Sequence, residues 1–144
     1  MNILMVCLGN ICRSPLAEGV MQHLVQQEGL DWTVDSAGTG GWHVGENPDH
    51  RSVRVAHSHG IDISTQTCRK FRVEDFDDFD LILVMDRYNY SDVQMLARTE
   101  AETAKIHLLL GEKEVPDPYY DNNMFEPVFK LIEGGCKGVI KKYR

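Results

Sequence analysis

With 144 residues, the chain is long enough for one domain around one core and short for two. Its apolar fraction of 42% and charged fraction of 26% are ordinary for a globular protein, and no apolar run approaches the ~20 residues of a membrane-spanning helix. A net charge of −7 excludes nucleic acid as the main ligand, because phosphate-backbone binding needs a basic surface, but it leaves room for a small basic pocket.

Met1 is followed by an apolar segment with no basic lead-in and no small-residue cleavage site, so no secretory signal is expected and a cytoplasmic location is the default. Asn2 to Val6 predicts a buried first strand. The strand runs into Cys7-Leu8-Gly9-Asn10-Ile11-Cys12-Arg13-Ser14, followed by Pro15. Each residue type there has a physical use. A loop between a strand and a helix start presents backbone N–H groups to one point, and the helix dipole adds positive potential. Gly9 and Asn10 tolerate positive φ, which a tight cradle requires. Arg13 offers a planar fork for two phosphate oxygens. Cys7 lies at the strand's carboxyl end in the field of those same groups, a setting that favours the nucleophilic thiolate. Ser14 is placed to donate a hydrogen bond to it. A P-loop for nucleotides is excluded, since no Gly-Lys-Ser/Thr follows.

The rest of the chain alternates strand-like and helix-like segments. Ser14 to Glu28 predicts a helix, with Ala17, Val20, Met21, Leu24 and Val25 at helical spacing and Gly29 as the stop. Trp32 to Asp35 predicts a second strand. Asn47-Pro48-Asp49 predicts a helix start with Asn47 as cap and Pro48 in the first turn, ending near Gly60. Asp80 to Met85 predicts a third strand buried on both faces. A helix from about Asn89 to Ala97 and a strand from Lys105 to Leu109 follow. The last helix is expected to start near Phe125, with Phe125, Val128, Phe129, Ile132, Cys136, Val139 and Ile140 on one face, although Gly134, Gly135 and Gly138 weaken it. This order predicts a single α/β domain over 1–144: a three-layer, doubly wound, four-stranded parallel sheet with helices on both faces. Such sheets bind ligands at the carboxyl ends of their strands.

A thiolate alone does not expel a phenolate; a nearby acid is needed. Val115-Pro116-Asp117-Pro118-Tyr119-Tyr120 follows the fourth strand and so belongs at the same sheet edge as Cys7. Asp117, held between two prolines, is the candidate acid, and Tyr119 and Tyr120 are candidate walls for a phenyl ring. Other chemistry-bearing residues are given bland readings. The acidic run Glu74 to Asp80 reads as a solvated helix face with Phe76 and Phe79 turned inward. His59 reads as a hydrogen-bonded structural residue, Cys136 as inert core, and Cys68, among polar neighbours, as an incidental thiol. Tyr143 is a weak candidate for phosphorylation.

Together these residues resemble the low-molecular-weight protein tyrosine phosphatases over almost the whole chain. The resemblance is carried by Val6 to Pro15, Asp35-Ser36-Ala37-Gly38-Thr39, Trp42 with Pro48-Asp49, His59-Gly60-Ile61, Asp80 to Asp86, and Asp117-Pro118-Tyr119-Tyr120. It implies Cys7 as nucleophile, Arg13 as phosphate ligand and Asp117 as general acid and then base. It also implies thiolate stabilisation by Ser14 and a loop held in shape by Asn10 with Ser36. The phosphate lies on the loop from Leu8 through Gly9, Asn10, Ile11 and Cys12, and Leu8, Ile11, Trp42, Tyr119 and Tyr120 wall the pocket. No metal or organic cofactor is implied. A reversible Cys7–Cys12 disulfide that shields the nucleophile is implied by the resemblance, beside a reading of Cys12 as a space-filler. Related arginine phosphatases carry Thr where this chain has Ile11, so an apolar Ile11 favours a phenyl ring. Related arsenate reductases need a cysteine pair near strand three, where this chain has none. The implied partner is a phosphotyrosine-containing protein, with tyrosine kinases as candidates; oligomeric state stays open. The rivals are a phosphatase for another phosphoryl amino acid, an oxyanion reductase, or a phosphoprotein-binding module without turnover.

Overall fold

A computed structural model describes residues 1–144. Four parallel strands, β1 (Asn2–Cys7), β2 (Thr33–Gly38), β3 (Leu81–Val84) and β4 (Ile106–Leu108), form one sheet in the order β2-β1-β3-β4. Six helices connect and cover them: α1 (Arg13–Gln27), α2 (His50–Ser58), α3 (Asp75–Asp78), α4 (Arg87–Gln94), α5 (Glu100–Thr103) and α6 (Phe125–Tyr143), with a 3₁₀ turn at Asn122–Met124. The α/β sheet is the one that the strand–helix alternation predicts.

The apolar run of β1 is buried on both faces because alternate side chains enter different cores. Ile3 and Met5 join Leu16, Met21, Phe129 and Ile132 beneath α1 and α6. Leu4 and Val6 join Phe71, Phe76, Ile82, Val84 and Val93 on the opposite face. Strand order reverses between β1 and β3, so the loops leaving these two strands flank a crevice at the carboxyl edge.

Several boundaries differ from expectation. β2 extends to Gly38 rather than ending at Asp35, pairing Val6 with Ala37 and Cys7 with Gly38. The expected cap of α2 is two residues too early. Asp49, not Asn47, is the N-cap; its carboxylate accepts the Arg51 N–H at 2.8 Å, while the Asn47 side chain donates to the Gln66 carbonyl. The glycines do not interrupt α6, because at Gly135 the missing side chain admits Leu109 and Leu110. The acidic run is not wholly solvated. Asp75 is fully buried and accepts from the Arg69 guanidinium and the Arg72 N–H. No helix is long and apolar enough to cross a membrane.

Candidate active site

β1 ends by delivering Cys7, only 3% exposed, to the base of the loop. The Asn10 N–H points at Sγ from 3.2 Å, which requires the loop to fold back sharply. Asn10 accordingly has φ = 57°, the one non-glycine residue with positive φ in the chain. Its side chain holds that shape. The Asn10 amide donates to Ser14 Oγ at 2.7 Å and to Ser36 Oγ at 3.0 Å, while its oxygen accepts the Arg69 N–H at 3.0 Å. Ser14 Oγ lies 3.0 Å from Cys7 Sγ. The loop can come this close to β2 because residue 38 is glycine: a Cβ there would stand 2.9 Å from the Leu8 carbonyl oxygen.

α1 opens at Arg13 with no side-chain cap. Its first N–H groups, together with the loop amides, are available to an external anion. The Arg13 guanidinium is 3% exposed. Nη1 donates to Asp86 Oδ2 at 2.7 Å and to the Val115 carbonyl at 2.9 Å, and Nη2 lies 3.9 Å from Asp117 Oδ2. Burial works against the Arg13 charge, but the Cys7 thiolate and Asp86 outweigh it and hold the group more firmly protonated than usual. Burial, followed by the charges of Asp49, Cys7 and Asp117, pushes Cys12 up to about 12, so Cys12 stays a thiol. All four cysteines are free.

Asp117 sits on a short segment pinned at its start. The Val115 N–H donates to the Met85 carbonyl at 2.8 Å, and Val115 in turn holds Arg13. Asp117 Oδ1 accepts the Tyr119 N–H at 3.1 Å, and the carboxylate remains 39% exposed. Arg51 braces the far end. It donates to the Tyr119 carbonyl, lies over the Tyr119 and Phe125 rings, and is fixed by Asp49.

These groups open into one cleft of about 320 Å³. Cys7, Cys12 and Arg13 lie at its base with Gly9; Leu8, Ile11, Trp42, Tyr119 and Tyr120 line it, together with Asp117 and His43. The Tyr119 and Tyr120 rings meet edge to face at 4.9 Å. Trp42 is 70% exposed, and Gly40 provides its seat, since a Cβ there would overlap the indole. The side chains of Ser14, Asn10 and Ser36 are buried and do not line the cleft. A wider groove of about 1220 Å³ along β4 and α6 shares none of these residues and contains no thiol.

Four participants went unassigned in the sequence. Asp86 orients Arg13, Arg69 pins Asn10, and buried Glu18 accepts from Ser36 Oγ at 2.6 Å. Cys68 is buried and donates to the Asn10 carbonyl at 2.7 Å, so it is not an incidental surface thiol. Burial, then the charges of Cys7 and Glu46, pushes it up to about 11. Only Asp86 carried a signal, as an acidic residue directly following a buried strand. Outside the cleft, His59 stacks on Phe129 at 4.0 Å and bonds Glu126, and Cys136 is fully buried.

Comparison with known proteins places this geometry. The family model for low molecular weight phosphotyrosine protein phosphatase matches residues 2–144. The chain is 40% identical over 147 residues to the low molecular weight protein-tyrosine-phosphatase YfkJ of Bacillus subtilis, covering 96% of this chain and 93% of that one. In structure it is similar to a protein tyrosine phosphatase of Entamoeba histolytica, with a TM-score of 0.93, 37% identity, and coverage of 99% of this chain and 96% of that one. It is also similar to a Drosophila arginine phosphatase, with a TM-score of 0.92, 36% identity, and coverage of 100% and 98%.

Proposed function

The chain belongs to the low molecular weight phosphotyrosine protein phosphatase family, and from that premise we propose that its cleft hydrolyses phosphotyrosine with Cys7 as nucleophile, Arg13 as phosphate ligand and Asp117 as proton donor. The observation that carries this reading is the meeting of the three side chains in one cleft, with Arg13 Nη2 3.9 Å from Asp117 Oδ2. The Cys7 thiolate attacks phosphorus, a P–S bond forms and the P–O bond to the phenol breaks. The Asp117 carboxyl gives its proton to the departing oxygen. The resulting carboxylate then takes a proton from water, whose oxygen attacks phosphorus and releases Cys7 and inorganic phosphate. Arg13 and the loop amides hold the equatorial oxygens through both steps, where charge must be stabilised without reorganisation.

Ile11, Tyr119, Tyr120 and Trp42 give the cleft an apolar, aromatic wall suited to a phenyl ring. A guanidinium is the rival occupant, because an arginine phosphatase shares the fold closely. Phosphate release from matched phosphotyrosine, phosphoarginine and phosphoserine peptides separates the readings, with Cys7→Ser as control. Release from phosphotyrosine alone, lost in Cys7→Ser, is expected; preference for phosphoarginine would keep the mechanism and overturn the substrate. Asp117→Asn is expected to slow phosphotyrosine turnover by roughly 10²–10⁴-fold, and less for a more acidic phenol that leaves unaided. Equal losses on both leaving groups would remove Asp117 from the acid role. The physiological substrate is then a phosphotyrosine protein, with a tyrosine kinase as the candidate partner. A nucleophilic thiol that works only when reduced suits the reducing cytoplasm.

A further inference from the structure

Glu18 is a carboxylic acid with 8% exposure, and the mechanism above makes no use of it. It stands one helical turn beyond Ser14 on α1, so both side chains project toward the same part of the sheet. Glu18 Oε1 accepts the Ser36 hydroxyl at 2.6 Å, Ser36 Oγ accepts from the Asn10 amide at 3.0 Å, the same amide donates to Ser14 Oγ at 2.7 Å, and Ser14 Oγ meets Cys7 Sγ at 3.0 Å.

The donor directions in this chain are fixed by elimination. The Asn10 amide cannot be turned over, because its oxygen takes the Arg69 N–H. Its nitrogen has two hydrogens and accepts nothing, so both Ser14 and Ser36 receive a hydrogen from it. Each serine therefore has its own proton left for another partner. For Ser36 that partner is Glu18. For Ser14 the choice is Cys7 Sγ at 3.0 Å or the Ala37 carbonyl at a weaker 3.4 Å. Without the Glu18 acceptor, the buried Ser36 proton loses its partner and can turn back against the Asn10 amide. That frees the amide, and with it the constraint on Ser14.

We propose that Glu18 is a positioning residue for Cys7: it anchors the far end of the chain Ser36–Asn10–Ser14 and so commits the Ser14 hydroxyl to donate to the thiolate. The groups facing it fit an acceptor. Gln22 on the same helix donates to Oε2 at 3.2 Å, Asp35 of β2 repels its charge, and Arg69 from the segment before α3 attracts it. An uncharged carbonyl oxygen at Oε1 serves equally well, so the anchor does not depend on ionisation. The proposal rests on the reading of Cys7 as the reactive thiolate.

The test is the rate of Cys7 alkylation by iodoacetate across pH 4–8, followed on the Cys7 peptide by mass spectrometry. Glu18→Met, which keeps volume and removes the acceptor, is expected to raise the midpoint by roughly one unit, about a tenfold loss of alkylation below it. Glu18→Gln, which keeps a carbonyl oxygen, is expected to stay within about twofold of the wild type. Glu18→Met in a Ser36→Ala background is expected to add nothing to Ser36→Ala alone, because the two act through one chain. The double variant also removes both members of the buried pair, so it folds where the single change fails. A wild-type profile for Glu18→Met, failure of Glu18→Gln to rescue, or additive effects with Ser36→Ala would each overturn the proposal. Alkylation needs no substrate, so an enzyme inactive on phosphotyrosine peptides would defeat the functional reading and leave this measurement intact.

Discussion

Asp86 divides its carboxylate between two duties: Oδ1 accepts the Asn89 N–H that starts α4, and Oδ2 takes Arg13. One side of the guanidinium is thereby fixed by a helix cap and by the Val115 carbonyl, and the other is left toward Asp117 and the cleft. A lysine at 13 would have one nitrogen for these tasks, so the fork is a geometric requirement as well as an electrostatic one. At Glu18 the dominant force is burial, which pushes the carboxyl up to about 7 against the bonds from Ser36 and Gln22 that oppose it. In the unfolded chain Glu18 loses its proton near 4.5; in the fold it keeps it to about 7. Between those values the folded state binds the extra proton, so this residue's contribution to stability is whole below 4.5 and falls as pH rises through the window. Glu18→Gln has no proton to lose. Wild-type stability relative to it is expected to drop by up to about 3 kcal/mol between pH 4.5 and 8, measured by denaturant unfolding at a series of pH values; parallel curves would refute the shift. The nucleophile and its loop were legible because their chemistry lies within eight consecutive residues. Asp86 and Arg69 were not assigned, since each reaches the loop across the fold: Arg13 and Asp86 are 73 positions apart, Asn10 and Arg69 59. Glu18 is near the loop in sequence but reaches it only through Ser36 of β2. Cys68 misled for the same reason. Its chain neighbours are polar, but its spatial neighbour is the Asn10 carbonyl.

Helix α6 shows how an element can override its own composition. Three glycines weaken it intrinsically, each by about 1 kcal/mol relative to alanine, and the helix still runs from Phe125 to Tyr143. The stabilisation comes from its buried stripe, where Val128, Phe129, Ile132 and Cys136 are fully enclosed. The glycines have different standing. A Cβ at Gly135 would lie 2.7 Å from Leu110 and 2.9 Å from Leu109, with the Leu109 carbonyl 3.2 Å away, whereas Gly134 and Gly138 face open space. Gly135→Ala is therefore expected to cost about 1–3 kcal/mol. Gly134→Ala and Gly138→Ala are each expected to gain about 0.4–1 kcal/mol. Thermal unfolding of the three variants decides this, and a stabilising Gly135→Ala would contradict the packing. The periodicity of the apolar face predicted this helix correctly; what it could not distinguish was a glycine that breaks a helix from one that lets a strand end approach. The start of α2 shows the converse limit. Asn47 and Asp49 are both good caps by type, and the choice fell to the one whose carboxylate reaches Arg51.

On the scale of the whole molecule, the chemistry is gathered by the order of the strands. β1 and β3 are neighbours whose connections leave toward opposite faces, so Cys7 and Asp86 emerge side by side, and the segment after β4 returns to place Asp117 against Arg13. The two cores on either side of the sheet hold that edge in place while leaving the cleft itself lined by exposed rings. The fold class was legible from the alternation of strands and helices; the convergence of distant loops was legible only through the rule that parallel sheets bind at their carboxyl edge. One of those rings gives the molecule a built-in optical probe. The chain has two tryptophans: Trp42 at the cleft mouth, and Trp32, half-buried, just before the opposite end of β2. An indole as exposed as Trp42 emits toward the red and answers to whatever enters beside it, while Trp32, a strand's length away, serves as a steady reference. Titrating orthovanadate or phosphate into the Cys7→Ser protein should therefore shift the Trp42 emission alone, and Trp42→Phe should abolish the signal, allowing occupancy to be read by light without turnover.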